Sequence, residues 1–178
     1  MIHSADSQIR RTLATFPIPD PLTVETLFNV IRDRYPRPLD LWREDPPLAG
    51  LRANGLWLTR PEAESDAIWV APELNGAAAV HTLAHEAGHI ALGHEPLVLP
   101  STPPEPEPEP YQFLSPDFLG GCLIGRTRSQ DGPHDPEHVK VEDQAEKFAF
   151  ALRRQALDRA RENQHSGDPL LDRLYKAL

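Results

Sequence analysis

Apolar residues recur at helical spacing in four stretches of the chain and alternate with polar ones in three shorter stretches. Near the start, Ile9, Leu13 and Phe16 share one stripe and predict a short helix over residues 4–16. A second helix is written more plainly in IPDPLTVETLFNVIRDRYP, where Val24, Leu27, Phe28 and Ile31 form a core-facing stripe. Asp20 is its expected N-cap, Pro21 suits the first helical position, and Pro36 ends it. The period then falls to two. PLDLW, NGLWLT and AIWVA predict three short strands, the last two closing an antiparallel hairpin around RPEAESD. Trp57 and Trp69 fall on these strands as cross-strand or core aromatics. Helical spacing returns over residues 76–93 through Val80, Leu83, Ala84, Ala87, Ile90 and Ala91. A last long helix is expected from Asp135-Pro136, with Val139, Ala145, Phe148, Ala149, Leu152 and Ala156 as its stripe, until SGDP ends it. This order predicts an α+β fold: a small three-stranded antiparallel or mixed sheet packed on helices.

Between the last two helices, residues 96–134 form a proline- and glycine-rich insertion. Its TPPEPEPEP segment cannot bury a core, so residues 101–110 are expected to be disordered, whereas YQFLSPDFLGGCLIG is apolar enough to pack. A length of 178 residues suits a single domain spanning 1–178. The formal net charge of −9, with no dense basic cluster, argues against direct binding to nucleic acid or to anionic membrane surfaces. Cys122 is the one cysteine, which excludes an internal disulfide and the thiolate-rich zinc sites. No apolar run reaches the length of a signal peptide or a membrane span, so the expected setting is the cytoplasm, without membrane attachment.

Candidate chemistry concentrates in HTLAHEAGHIALGH, residues 81–94. His85-Glu86-Ala87-Gly88-His89 is an H-E-x-x-H motif on an expected helix. Residues four apart on a helix lie one above the other, so both imidazoles can reach one metal ion from one face. Glu86 is displaced from that face by one residue, which leaves it beside a water activated by the metal, as a general base. A third ligand is required, and His81, His94, His134, His138, Glu95 and Glu142 are the candidates. In the metzincin pattern the third histidine lies ten residues after the first. Here that position is Glu95, and the required intervening glycine is missing. Glu142 fits better, because it shares a face of the last helix with Glu146 beside the stripe that would pack on the motif helix. Two histidines, one glutamate and an open fourth position make the catalytic rather than the structural zinc pattern.

LAHEAGHIALGH followed by EDQAEKFA resembles the ImmA/IrrE-type metallopeptidase-like domains, which carry HE-x-GH-x-x-x-GH and then E-x-[EQ]-A-x-x-[FI]-A on two helices. The GLWLT and AIWVAPEL hairpin just before the motif helix is similar too, and the likeness covers roughly residues 20–157. The resemblance implies one Zn2+ per chain held by His85, His89 and Glu142, Glu86 as the catalytic glutamate, and Glu146 as an outer residue orienting a liganding histidine. It also implies a gluzincin-like peptidase whose protein substrate is a helix-turn-helix transcriptional repressor, cut in response to stress. The chain is a divergent match. Glu142 follows His89 by 53 residues because of the insertion, and ALRRQ replaces the common LL-x-P ending. A rival role is that of a weak or inactive zinc-binding partner acting by protein binding, as in toxin–antitoxin pairs. Among the other histidines, His81 lies one turn before His85, within reach of the metal rim or substrate, but a plain, partly exposed helical residue is the favoured reading. His94 is expected to cap the helix end, and His138 is an oxyanion-stabilising candidate.

Overall fold

A computed structural model describes residues 2–47, 53–59, 63–98 and 136–165, with side chains described from residue 6 and, in the last stretch, over 139–163. The expectations for residues 101–110, for YQFLSPDFLGGCLIG with its Cys122, and for His134 lie outside the described residues, as does that for the side chain of His138.

Helix α1 spans Ile2–Thr15 and buries Ile9 and Leu13 in the main core. Helix α2, Val24–Arg32, buries Leu27, Phe28 and Ile31, as its stripe predicts. Its cap differs from the expectation. Thr23, not Asp20, is the N-cap, and Pro21 precedes the helix. Thr23 and Thr26 form a reciprocal capping box, each backbone N–H donating to the other's hydroxyl at 3.0 and 3.1 Å. Two amides that the helix leaves unpaired are thereby satisfied together, whereas a lone Asp20 side chain could serve only one end.

The sheet has four strands rather than three. Strands β1 (Leu39–Trp42), β2 (Gly55–Thr59) and β3 (Asp66–Val70) match the three alternating stretches. The addition is the two-residue β4, Leu97–Val98, just past the motif helix. The strand order is β1-β3-β2-β4. The β2–β3 hairpin is antiparallel, with Trp57 opposite Ile68, while β1 runs parallel to β3 and β4 parallel to β2. The sheet is therefore mixed. Both of its faces are apolar. Leu39, Ile68 and Val70 face the helices, and Leu56, Leu58, Trp69 and Ala71 form a second cluster on the other side with Trp42 and Leu97 beside it. The expected alternation fails here: LWL and IWV are unbroken apolar runs, the pattern of strands covered on both faces.

Helix α3, Gly76–Leu92, carries the motif and packs on α2, β2 and β3. Helix α4, Pro136–His165, lies along α3 and also contacts α1. Ala145, Phe148, Ala149 and Leu152 are fully buried in this packing, but Val139 is 52% exposed and leaves the stripe. No helix among the described residues is long and apolar enough to cross a membrane.

Candidate metal centre

The centre sits where α3 and α4 come closest. Gly88 makes that approach possible: a Cβ there would lie 3.0 Å from the Ala145 carbonyl oxygen, 3.1 Å from its Cα and 3.2 Å from Phe148. Any side chain at residue 88 would push α4 away. Ala145 completes the contact with the smallest side chain that still favours a helix. One turn before it, Glu142 thus reaches the face of α3 that bears His85 and His89.

The geometry of the three side chains is close. His85 Nε2 lies 3.1 Å from His89 Nε2 and 3.2 Å from Glu142 Oε2. His89 Nε2 is 3.5 Å from Glu142 Oε1. Metal–ligand bonds of ~2.0–2.1 Å in a tetrahedron place neighbouring donor atoms about 3.3 Å apart, so the two ring nitrogens and the Glu142 carboxylate, which turns a different oxygen to each ring, lie near the spacing of ligands around one ion. The His85, His89 and Glu142 group could hold a metal ion.

The outer partners agree with that use. Glu146 Oε2 lies 3.1 Å from His85 Nδ1. A carboxylate accepts the Nδ1 proton there and leaves the Nε2 lone pair turned toward the cluster. Burial favours the neutral His85 ring. The Glu142 hydrogen bond, the charges of Glu86 and Glu142 and the Glu146 hydrogen bond outweigh it and push His85 up to about 9. Such a surplus of negative charge around a ring nitrogen suits a cation.

The remaining candidates fall into place around this set. Glu86 is buried, 6% exposed, and close enough for its charge to act on His85. With His89, Gly55, Leu56, Trp57, Glu95 and Leu97 it lines a cavity of about 20 Å3, enough for one water molecule. Glu95, weighed from sequence as a third ligand, is at this cavity rather than in the ligand group. His81 is partly buried, with Nε2 3.4 Å from Glu146 Oε2 and its ring 5.0 Å from that of Phe150. It touches the centre through Glu146, not directly. His94 does more than cap: its ring reaches both His89 and Gln144. The sequence reading gave Gln144 no role, although it occupies the [EQ] position of the E-x-[EQ]-A pattern next to buried Ala145, which was the available signal.

Comparisons with protein-family models, with curated proteins and with solved structures find no match for the chain.

Proposed function

We propose that the protein is a zinc-dependent endopeptidase acting on a protein substrate of the helix-turn-helix repressor class. The observation that carries this reading is the meeting of His85, His89 and Glu142 at ligand spacing, with buried Glu86 beside them on the same helix. Two imidazoles and one carboxylate are the donor set of catalytic zinc sites, and a bound zinc would polarise a scissile carbonyl and make water a competent nucleophile near neutral pH. Glu86 borders a cavity with room for one water, which supports a role for its carboxylate in taking a proton there and returning it to the leaving amine. Along the same cavity runs the start of β2. Among the described residues β4 pairs with β2 at Leu58 and Thr59 alone, and the edge of β2 at Gly55–Trp57 would suit an extended peptide. The choice of a repressor as substrate rests on the motif's resemblance to the ImmA/IrrE-type domains.

Glu86→Gln tests the reading. The variant keeps the shape of residue 86 but lacks the base. It is expected to bind zinc as wild type does, to unfold at the same temperature, and to cut a panel of purified helix-turn-helix repressors at least about 100-fold more slowly, with fragments read by mass spectrometry. Cleavage by the variant at the wild-type rate would overturn the mechanism.

A further inference from the structure

His85 and His89 have different outer partners. Glu146 serves His85, whereas His89 Nδ1 lies 3.0 Å from another imidazole, His94 Nδ1. The far nitrogen of that second ring, His94 Nε2, is 3.1 Å from Gln144 Oε1. Gly93 puts His94 there. It ends α3 in the left-handed conformation, φ 75°, and turns the chain so that the His94 backbone N–H donates to the His89 carbonyl at 2.9 Å. The His94 ring then folds back over the end of its own helix and packs edge-on to His89, with ring centres 5.1 Å apart.

Two nitrogens facing each other at 3.0 Å share one proton, so one ring donates and the other accepts. Only two neutral arrangements satisfy both contacts. In the first, Gln144 Oε1 accepts from His94 Nε2–H, His94 Nδ1 accepts from His89 Nδ1–H, and the His89 Nε2 lone pair faces the cluster. In the second, every donor is reversed, the amide must present its NH2 to His94, and His89 carries its proton on Nε2, where no metal could bind. Gln144 presents its oxygen, which selects the first.

We infer that His94 and Gln144 are positioning residues that fix the metal-binding tautomer of His89 through an uncharged chain, Gln144 Oε1 to His94 to His89. This rests on the proposed metal site. Helix α4 thus supplies one ligand, Glu142, and an anchor on each side of it: Glu146 for His85, and Gln144, by way of His94, for His89. The two rings are held by unlike means, one by a charged group and one by neutral groups.

The test combines histidine 15N NMR with zinc titration. In wild type, zinc-free and zinc-loaded, His94 is expected to be neutral with its proton on Nε2. His94→Phe keeps a ring but no acceptor, and should lower zinc affinity by about 10–100-fold. His94→Gln returns an oxygen acceptor and should recover most of that loss. A His94 proton on Nδ1, or zinc binding by His94→Phe as tight as wild type, would overturn the inference. Wild type that takes up no zinc while His94 shows the Nε2–H form would instead overturn the metal reading and leave the hydrogen-bond chain standing.

Discussion

Strand β2 has a polar cluster at each end, and the two are built on opposite principles. At the Thr59 end, the buried Asp66 carboxylate is surrounded by donors. Tyr35 donates to Oδ2 at 2.6 Å, Thr59 to Oδ1 at 2.6 Å, and the Arg37 guanidinium pairs with Oδ1 at 3.1 Å. Trp57 in turn donates to the Tyr35 hydroxyl at 3.1 Å, so the network closes on itself. At the Gly55 end, beyond Glu86, two ring nitrogens and the two oxygens of the Glu142 carboxylate converge with contacts of 3.1–3.5 Å, while each ring's Nδ1 faces Glu146 or His94. The first cluster satisfies its charge with its own side chains. The second brings together groups that could hold a cation. Burial is common to both. The count of donors against acceptors separates a structural cluster from a candidate binding one.

The largest effect that would break this contrast comes from Glu142→Ala. With free zinc held at roughly 100–1,000 times Kd, wild type should gain about 3–4 kcal/mol over the zinc-free protein. The variant should gain nothing, while its zinc-free stability moves by less than about 1 kcal/mol. Thermal unfolding with and without a chelator reads both quantities. A zinc-induced rise that survives in Glu142→Ala would show that the ion, if it binds, sits elsewhere.

Asp66→Asn should act the other way round. It removes the charge opposite Arg37 and turns one accepting oxygen into a donor facing a donor. Breaking a fully buried pair costs about 3–5 kcal/mol, and Arg37 is partly exposed, so a loss of about 2–3 kcal/mol is expected. That loss should be the same with zinc and without it. A loss that depends on zinc would mean that the two ends of β2 are not independent.

Legibility from sequence divides along the same line. The meeting of His85, His89 and Glu142 was readable because its parts are periodic: His85 and His89 lie four apart on one helix, and Glu142 and Glu146 four apart on another beside a buried stripe. The fold was readable for the same reason wherever an element was long enough to repeat. Strand β4 is two residues, too short to carry a pattern, and exists through its pairing with Leu58 and Thr59. Asp66 reads in sequence as the end of a turn, RPEAESD. Its burial comes from Tyr35 and Arg37, about 30 positions away, which no local period connects. His94 lies five residues after His89, off the helical face. Only the left-handed turn at Gly93 brings it back, and its second partner is on a helix beyond the insertion. Val139 shows the converse error, an apolar residue at the right spacing in a part of α4 where it is exposed.

The smallest effect concerns protons, and it sharpens the comparison because the two clusters respond differently to pH. His85 in the zinc-free folded protein is raised to about 9 from an ordinary value of 6.5. A raised histidine contributes stability that is fully present below the unfolded value and lost as pH climbs through the folded one. The zinc-free protein should therefore weaken between about pH 6.5 and 9. Zinc needs the neutral ring, so over the same window its affinity should rise, and its binding should expel close to one proton. The gap in unfolding temperature between zinc-loaded and zinc-free protein should widen with pH. At the other end of β2, burial and the hydrogen bond to Asp66 hold Tyr35 up at about 12, so its hydroxyl keeps its proton throughout. The loss caused by Asp66→Asn should accordingly stay flat across the window in which the zinc effect grows. Calorimetric titration of zinc in buffers of different ionisation enthalpy counts the released protons directly. A count near zero around pH 7.5 would mean that His85 is already neutral before the ion arrives, and that a cation is not replacing a proton there.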